Sequence, residues 1–344
     1  MTTIYDIAKQ AGVSAATVSK TLNGYADVSV RTREKVLRII GELGYVPNAS
    51  ARELVTKRSM LVGVFLKDET NGDLLHPFFQ NVVASFKDVV GAKGYDLVFF
   101  AASHATEMDY VARARERGVD GLLLFSIPIS DPGLQGLVAS GIPCIAIDLE
   151  LLGSRAGYVI SDNSSAAREV VRYLYNAGHR KIGYVGAYLP SRPGHDRMLG
   201  YHAELTRLGL QVRSEWVVEG DYGEESGYTA TEKILMAPEL PTAIFFSGDM
   251  MAIGGMEALR KHGLKPGVDM SVVGFDDINL ARYVRPGLTT IRQKREEMGA
   301  TAARELVSLI ENPNQPPRVV TLETELVVRQ SVRNLAPMIR KMEN

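Results

Sequence analysis

Two short helical patterns separated by a turn occupy residues 3–24 and constrain the fold of this end of the chain. In the first pattern Thr3 and Asp6 are spaced as a capping box, and Gly12 stands where a helix ends in the left-handed conformation. Ser14 is then placed to cap a second helix. Two helices joined by so short a turn are typical of a helix-turn-helix, which presents its second helix to the major groove of DNA.

The second helix has an apolar side formed by Val18 and Leu22, and Asn23 with Gly24 ends it. Its outward side is expected to carry small and polar residues, namely Ala15, Ala16, Ser19 and Lys20. This side of the helix is therefore the candidate DNA-reading surface.

A third amphipathic helix is predicted between Ser29, which caps it, and Gly44, which ends it. Val36, Ile40 and Leu43 are spaced four and three residues apart and so share one face. Three helices within so short a segment predict a compact all-α headpiece. The same spacing would also suit a small helical bundle with another function.

The next segment, GYVPNASARELV at residues 44–55, begins with a Pro-Asn break and continues as a short helical stretch without a hydrophobic core of its own. With it, the chain resembles the lactose-repressor family of bacterial transcription regulators. The motifs that carry the resemblance are YDIAKQAGVSAATVSKTLN, VSVRTREKV, YVPNASAREL, VRYLYNAGHRKIGYVG, SVVGFDD and LTTIRQ. They extend from Thr3 to Arg333, and several separate motifs in order are far more specific than any one of them.

We expect two groups of contacts between the headpiece and DNA. The residues expected to face the bases are Lys20, Ala15 and Ala16. The residues expected to contact phosphate are Thr17, Ser19, Asn23, Ser29 and Thr32. In the short helix, which also carries Ala51 and Arg52, the resemblance implies that Leu54 is a wedge between base steps in the minor groove. Leu54 could instead pack against its own lobe.

The charge of the chain is divided unevenly. Residues 1–58 contain nine Lys and Arg against five Asp and Glu, a net charge of +4, so the remainder carries −5 of the overall −1. A basic end on an acidic body is expected when only that end meets phosphates. No apolar run approaches membrane-spanning length and no signal segment is evident, so we expect a cytoplasmic protein; the single Cys144 fits a reducing compartment.

From Leu61 onward, short apolar runs such as LVGVF, GLLLF, IPCIAI, TAIFFS and MSVVGF are separated by helical stretches. This texture is typical of parallel strands buried on both faces and predicts an α/β body. The resemblance implies two lobes like those of periplasmic binding proteins, joined by three crossing strands near Ser161, Thr290 and Thr321. The predicted domains are a headpiece at 1–46, a hinge helix and linker at 47–59, a core at 60–334 and a tail at 335–344, and the core divides into an N-lobe of 60–160 plus 291–320 and a C-lobe of 161–290 plus 321–334.

Ligands of open α/β sheets bind at the carboxyl ends of the strands, so we searched the residues that follow each apolar run. Carboxylates and an arginine there can bind a polyhydroxylated ligand, and aromatic faces can cover its apolar side, which suggests a sugar. The candidates are Phe78, Phe79, Asp148, Arg197, Tyr222, Asp249 and Asp276. The resemblance supports all of these except the two phenylalanines and adds Gln293, but Gly248 and Arg295 depart from the pattern of many sugar-binding members.

Other interpretations of these residues stay open. Asp249 and Asp276 could each cap the helix that follows, and one of Phe78 and Phe79 is expected in the core. The body alone would suit an exported solute-binding protein, and Asp148 with Asp276 could be the paired carboxylates of a glycosidase. Within the family, a nucleobase or a protein partner could replace the sugar. No metal-site, hydrolase or P-loop motif occurs, and neither a metal nor a cofactor is expected.

One recognition helix reads too little DNA to be specific, so we expect a homodimer on a palindromic operator. The tail contains Pro337 and is too short for the heptads of a tetramerising coiled coil. The sequence therefore predicts a ligand-responsive transcription regulator and not an enzyme. It does not distinguish induction from corepression.

Overall fold

The structure is a computed structural model, and it describes residues 2–22, 25–45, 58–66, 76–101, 109–186 and 191–336. The chain divides into two compact units, Met1–Met60 and Leu61–Asn344.

The smaller unit contains the three predicted helices, α1 (Ile4–Ala11), α2 (Ala15–Leu22) and α3 (Val30–Leu43). The capping box is confirmed, because Thr3 and Asp6 each bond the backbone N–H of the other. The hydroxyls of Ser14 and Ser29 likewise accept from the backbone three residues later. Left-handed glycines end α1 and α3, at Gly12 with φ 66° and Gly44 with φ 58°. Local sequence therefore sets the ends of these helices.

The headpiece core differs from the prediction in two details. In α3, Val36 and Ile39 are the buried residues, whereas Ile40 and Leu43 are only half-buried against the core. In α2, Ala15 was expected to face outward but is half-buried and packs against the same core. The reason is that Ala15 packs against the apolar cluster that residues of all three helices form.

The larger unit contains two six-stranded sheets. The first sheet has the strand order β11-β5-β4-β3-β1-β2, and all of its neighbouring strands are parallel. Its strands are β1 (Leu61–Leu66), β2 (Asp96–Phe100), β3 (Gly121–Phe125), β4 (Cys144–Ile147), β5 (Ala156–Ser161) and β11 (Val319–Leu322). We call the part of the unit built on this sheet the first lobe.

The second sheet has the order β12-β10-β9-β8-β6-β7, and only the β10–β12 pair is antiparallel among its described strands. Its strands are β6 (Ile182–Gly186), β7 (Val217–Glu219), β8 (Ala243–Phe246), β9 (Ser271–Asp276), β10 (Thr289–Arg292) and β12 (Glu325–Val327). The part built on this sheet is the second lobe. The predicted α/β class with mainly parallel sheets is confirmed.

Helices cover both sheets. Those of the first lobe are α4 (Pro77–Ala92), α5 (Tyr110–Arg117), α6 (Gly133–Ala139) and α11 (Arg295–Glu311). Those of the second lobe are α7 (Asn163–Asn176), α8 (Arg192–Arg207), α9 (Glu224–Leu235) and α10 (Asp249–Lys261). Helix α11 packs closely on α4. The contact leaves no room for a side chain at Gly299, where a Cβ would lie only 2.1 Å from the Val82 carbonyl oxygen. No helix of the described residues is long and apolar enough to cross a bilayer.

The described chain passes between the lobes three times, through segments that we call the crossing segments: 161–163, 292–295 and 322–325. All three lobe boundaries expected from sequence therefore fall inside strands, and the first does so because Ser161 still belongs to β5 of the first lobe. Residues 291 and 292 belong to β10 of the second lobe, and residues 321 and 322 belong to β11 of the first. The boundaries move by one or two residues, because the sheet hydrogen bonds continue to the end of the strand before the chain crosses.

Candidate ligand cleft and DNA-binding surface

A cavity lies where the carboxyl ends of strands from both lobes meet. The space between its walls, including the open mouth, is about 710 Å³. Its lining residues are His76, Phe78, Phe79, Ser126, Ile127, Pro128, Asp148, Ser191, Arg192, Pro193, Arg197, Tyr222, Asp276 and Gln293. Seven of the eight predicted ligand residues are in this set. A volume of this size suits a small organic ligand.

Arg197 is the buried cation of the cleft, with only 3% of its surface exposed. Its Nε donates to Asn163 Oδ1 at 2.8 Å, and its Nη1 donates to the Ser247 carbonyl oxygen at 2.6 Å. The guanidinium carbon lies 3.7 Å from the centre of the Phe275 ring, so that ring supports the group from one side. These contacts fix the guanidinium before any ligand arrives.

Hydrogen-bond acceptors surround this cation. Gln293 Nε2 donates to Asp276 Oδ1 at 2.7 Å, and the same oxygen lies 3.9 Å from Arg197 Nη1. Two further acceptors, Asp148 Oδ1 and Gln293 Oε1, are buried and accept no hydrogen bond from the described protein atoms. Since unpaired buried acceptors are costly, these atoms suit a ligand that brings hydroxyl or amide donors.

The cleft changes the acidity of two groups. Burial raises the pKa of Asp148 to about 7, an effect that Arg197 opposes and Asp276 reinforces. Burial also raises the pKa of Tyr222, whose hydroxyl lies 2.8 Å from Ser191 Oγ. Asp148 therefore changes charge near neutral pH, whereas Tyr222 stays neutral.

Several cleft residues have left-handed backbone conformations that non-glycine residues seldom adopt. The φ angles are 54° at Ser126, 57° at Asp148, 69° at Tyr222 and 119° at Asp276. All four line the cavity; Ser126, Asp148 and Tyr222 lie in loops that follow a strand, and Asp276 is the last residue of β9. Such strained backbone conformations are common at functional sites, and they persist only where the surrounding structure holds them in place.

The apolar residues Phe78, Phe79, Ile127 and Pro128 of the cleft come from the first lobe. Phe78 is buried at the start of α4, while Phe79 is half-buried and stacks on Phe125 with ring centres 5.1 Å apart. Helix α4 begins here because the His76 ring nitrogen accepts from the Phe78 amide and Pro77 occupies the first helical position. Phe78 thus belongs both to the core, as expected of one of the pair, and to the cleft wall.

Asp249 is the predicted ligand residue that does not line the cavity. It is fully buried, accepts from Thr290 Oγ1 at 2.6 Å and accepts from the Ile278 amide at 2.9 Å. Burial, together with the nearby Asp276, raises its pKa well above the usual range. Gly248, not Asp249, is the capping residue of α10. Through these two hydrogen bonds Asp249 instead connects the turn after β9 to strand β10.

The structure describes part of the predicted DNA-binding surface. Ala16, Lys20 and Ser29 are exposed, and Thr17, Ser19 and Thr32 are half-buried. Lys20 forms an ion pair with Asp27, which sequence reasoning did not anticipate. Four further candidates lie outside the described residues, namely Asn23, Ala51, Arg52 and Leu54.

Comparison with known proteins decides the family. Residues 3–48 match the family described as bacterial regulatory proteins, lacI family, and residues 171–332 match a periplasmic binding protein-like domain. The ribose operon repressor of Haemophilus influenzae is 32% identical over 97% of this chain and 100% of its own length. The chain belongs to the lacI family of regulatory proteins. Members of this family are DNA-binding transcription regulators with a periplasmic-binding-protein-like effector domain, as the notable sequence motifs predicted.

Two solved structures extend over nearly the whole regulator. A lac repressor dimer bound to operator and the anti-inducer ONPF is 31% identical, with a TM-score of 0.85, and the match covers 96% of this chain and 99% of that one. A complex of the transcriptional regulator CelR with cellobiose is also 31% identical, with a TM-score of 0.73, and covers 96% and 100%. The fold of this chain therefore matches those two structures along nearly their whole length.

Several residues of the regulator's cleft were not predicted from its sequence. Ser126, Ile127 and Pro128 directly follow β3, so the strand-end rule that found the other candidates could have found them. Ser191 directly precedes the segment RPGHDR, which begins with Arg192 and ends with the predicted ligand residue Arg197. No cluster of three or more potential metal ligands occurs among the described residues.

Proposed function

We propose that this regulator is a repressor that binds a palindromic operator as a homodimer and responds to a sugar bound in the cleft. One observation carries the sugar proposal: the cleft combines two buried acceptors that receive no hydrogen bond from the described protein atoms, Asp148 Oδ1 and Gln293 Oε1, with the fixed guanidinium of Arg197. A sugar hydroxyl both donates and accepts, so one ring can satisfy all three groups.

The apolar wall supports the same ligand class. Phe78, Phe79 and Ile127 line the same cavity as the polar residues, and the faces of a sugar ring expose C–H groups that pack on aromatic surfaces. A planar nucleobase offers fewer donors to the acceptors, which favours the sugar. The names of two relatives, a ribose operon repressor and a regulator solved with cellobiose, agree with this choice.

The headpiece supports the operator proposal. Its second helix has Ala16 and Lys20 exposed, and the hydroxyls of Ser14 and Ser29 cap α2 and α3 near the N-terminal ends that would meet phosphate. A single headpiece contacts one half-site, and two-fold pairing of the chain gives the second. Since its target is the chromosome, we place the protein in the cytoplasm.

The experiment is a thermal-shift screen with D-ribose, D-glucose, D-galactose, cellobiose, their phosphates and free nucleobases. A ligand that binds only the folded state raises the melting temperature, and we expect a neutral sugar to do so. A rise with nucleobases alone would contradict the proposal. Operator sequences selected from random duplex DNA should be palindromic, and binding to them should weaken with salt.

We propose no catalytic activity for the cleft. The carboxylate of Asp276 is already bonded to Gln293 and lies beside Arg197, so both contacts favour a fixed acceptor over a group that exchanges a proton with substrate. Purified protein should release no nitrophenol from nitrophenyl glycosides. Release that is lost in Asp148→Asn would assign a glycosidase instead.

A further inference from the structure

The carboxylates of Asp276 and its neighbour Asp277 have different surroundings. Both residues are 3% exposed, and both have left-handed backbone, with φ of 119° and 52°. Asp276 lines the cleft, but Asp277 does not. The side chain of Asp277 is bonded instead to arginines from other parts of the fold, which the ligand-binding proposal leaves unexplained.

Two guanidinium groups hold the Asp277 carboxylate. Arg329 Nη2 donates to Oδ1 at 2.6 Å, and Arg292 Nε donates to Oδ2 at 2.7 Å. A third arginine, Arg295, donates from Nη2 to the Asp277 carbonyl oxygen at 2.9 Å. We call these four residues the Asp277 cluster. Burial raises the pKa of Asp277, but the bonds from Arg329 and Arg292 together outweigh it, so the pKa lies below its usual range and the carboxylate is ionised.

The Asp277 cluster lies at two of the three crossing segments. Arg292 ends β10 in the second lobe, and Arg295 begins α11 in the first, so the two residues bracket crossing segment 292–295. Arg292 Nη1 also donates at 2.9 Å to Oε2 of Glu325, the last residue of crossing segment 322–325. The cluster therefore connects the turn after β9 to both segments.

Gln293 joins this cluster to the cleft. It follows Arg292 directly, lines the cavity and donates to Asp276. Two contacts thus lie side by side, Gln293 with Asp276 toward the ligand and Arg292 with Asp277 toward the crossing segments. Because the partners are consecutive residues on both sides, a displacement of one contact moves the other.

We propose that Asp277 is a positioning residue that transmits ligand binding at Asp276 and Gln293 to the crossing segments and so sets the relative position of the two lobes. A ligand that bonds Gln293 Oε1 pulls on segment 292–295, and the ionised Asp277 determines how that segment responds. Coupling requires an element with two arrangements that the ligand biases, and a short segment between two rigid lobes can be that element. The inference rests on the proposed function for its ligand, but its claim about the segments also holds without one.

The first test measures amide hydrogen exchange in the full chain without ligand. Asp277→Asn keeps the shape of the side chain and removes its charge. Arg292→Gln removes one of the two guanidinium groups that bond the Asp277 carboxylate, and the Arg292 side chain is 45% exposed. Both should accelerate exchange at residues 289–293 and 325–329 about tenfold. The matched control is Lys294→Gln, which removes a positive charge from the same segment, because Lys294 pairs only with Glu297 among the described contacts.

The second test measures operator affinity with and without the panel sugar that most raises the melting temperature. In Asp277→Asn and Arg292→Gln the sugar should bind within about threefold of the parent affinity, while the ratio of the two operator affinities falls toward one. A merely structural role for Asp277 would lower stability and both affinities together but leave the ratio unchanged.

The outcomes separate this inference from the proposed function. Unchanged exchange at 289–293 and 325–329 in Arg292→Gln, or an equal change in Lys294→Gln, would overturn the role of Asp277 whatever the ligand is. An unchanged operator ratio with intact sugar binding would overturn it as well. If no panel sugar binds, the sugar proposal fails, and the exchange experiment still decides the inference; if Asp277→Asn does not fold, Arg292→Gln decides it.

Discussion

Arg192 and Glu150 form an ion pair between the two lobes beside the cleft, with Arg192 Nη1 2.5 Å from Glu150 Oε2. Arg192 begins α8 of the second lobe, whereas Glu150 follows β4 of the first. The guanidinium also donates from Nε to Asp196 at 2.8 Å, and Arg192 lines the cavity. The pair therefore resists separation of the two lobes beside the cavity.

Arg192→Gln should therefore speed ligand dissociation. Because the pair is partly exposed, its contribution is small, and we expect a rise of about two- to fivefold in the dissociation rate of a bound sugar. Stopped-flow fluorescence of a labelled sugar measures this rate. Arg213→Gln, which breaks an ion pair with Glu239 inside the second lobe, is the control. Equal dissociation rates in the parent and in Arg192→Gln would show that the ion pair does not slow release of the ligand.

Arg197→Ala should abolish the response to sugar. The substitution removes a buried cation that hydrogen-bonds Asn163 and Ser247, and loss of charged hydrogen bonds to a ligand costs about 1.5 to 3 kcal/mol each. Operator affinity without sugar should change little, since the headpiece is a separate compact unit. Calorimetric titration and an operator-binding assay measure the two effects. A response at the same sugar concentration as in the parent would remove Arg197 from the site.

Sugar affinity should rise with pH and then level off. Since the pKa of Asp148 is about 7, this carboxyl is largely protonated at about pH 6 and ionised at about pH 8, and the ionised form is the stronger acceptor. Asp148→Asn should bind more weakly and lose the pH dependence. Titrations across this range test the prediction, and a flat profile in the parent would contradict it.

The same raised pKa predicts the effect of Asp148 on stability without ligand. The folded state binds a proton more tightly than the unfolded chain, so the contribution of Asp148 to the free energy of unfolding falls as pH rises from about 4 to about 7. Asp148→Asn should thus be more stable than the parent at about pH 8. Thermal unfolding at both ends of the range measures the difference, and greater stability of the parent at high pH would refute it.

Lys20→Ala should weaken operator binding by about 1 to 3 kcal/mol and affect random DNA less. The reason is that Lys20 is exposed on the second helix of the headpiece, where Asp27 holds its ammonium group. Filter-binding titrations on the selected operator and on random duplex compare the two losses. Equal losses would mean that Lys20 contacts phosphate alone. Asp27→Asn, which frees the ammonium group, should strengthen random binding.

The sequence by itself determined the features that depend on near neighbours in the chain. The caps at Thr3, Ser14 and Ser29 bind backbone groups three residues away, and the apolar runs mark strands because burial on both faces requires them. The rule that ligands bind at strand ends located Asp148 and Asp276 without knowledge of the sheet order.

Only the tertiary structure decided which polar residues work together. Asp249 follows a strand as Asp148 does, yet it bonds Thr290 at 2.6 Å, a residue 41 positions away. Arg329 reaches Asp277 from 52 positions away. Sequence spacing carries no signal for such pairs, because a hydrogen bond depends on separations of a few ångströms that are fixed only when strands from distant parts of the chain align in one sheet.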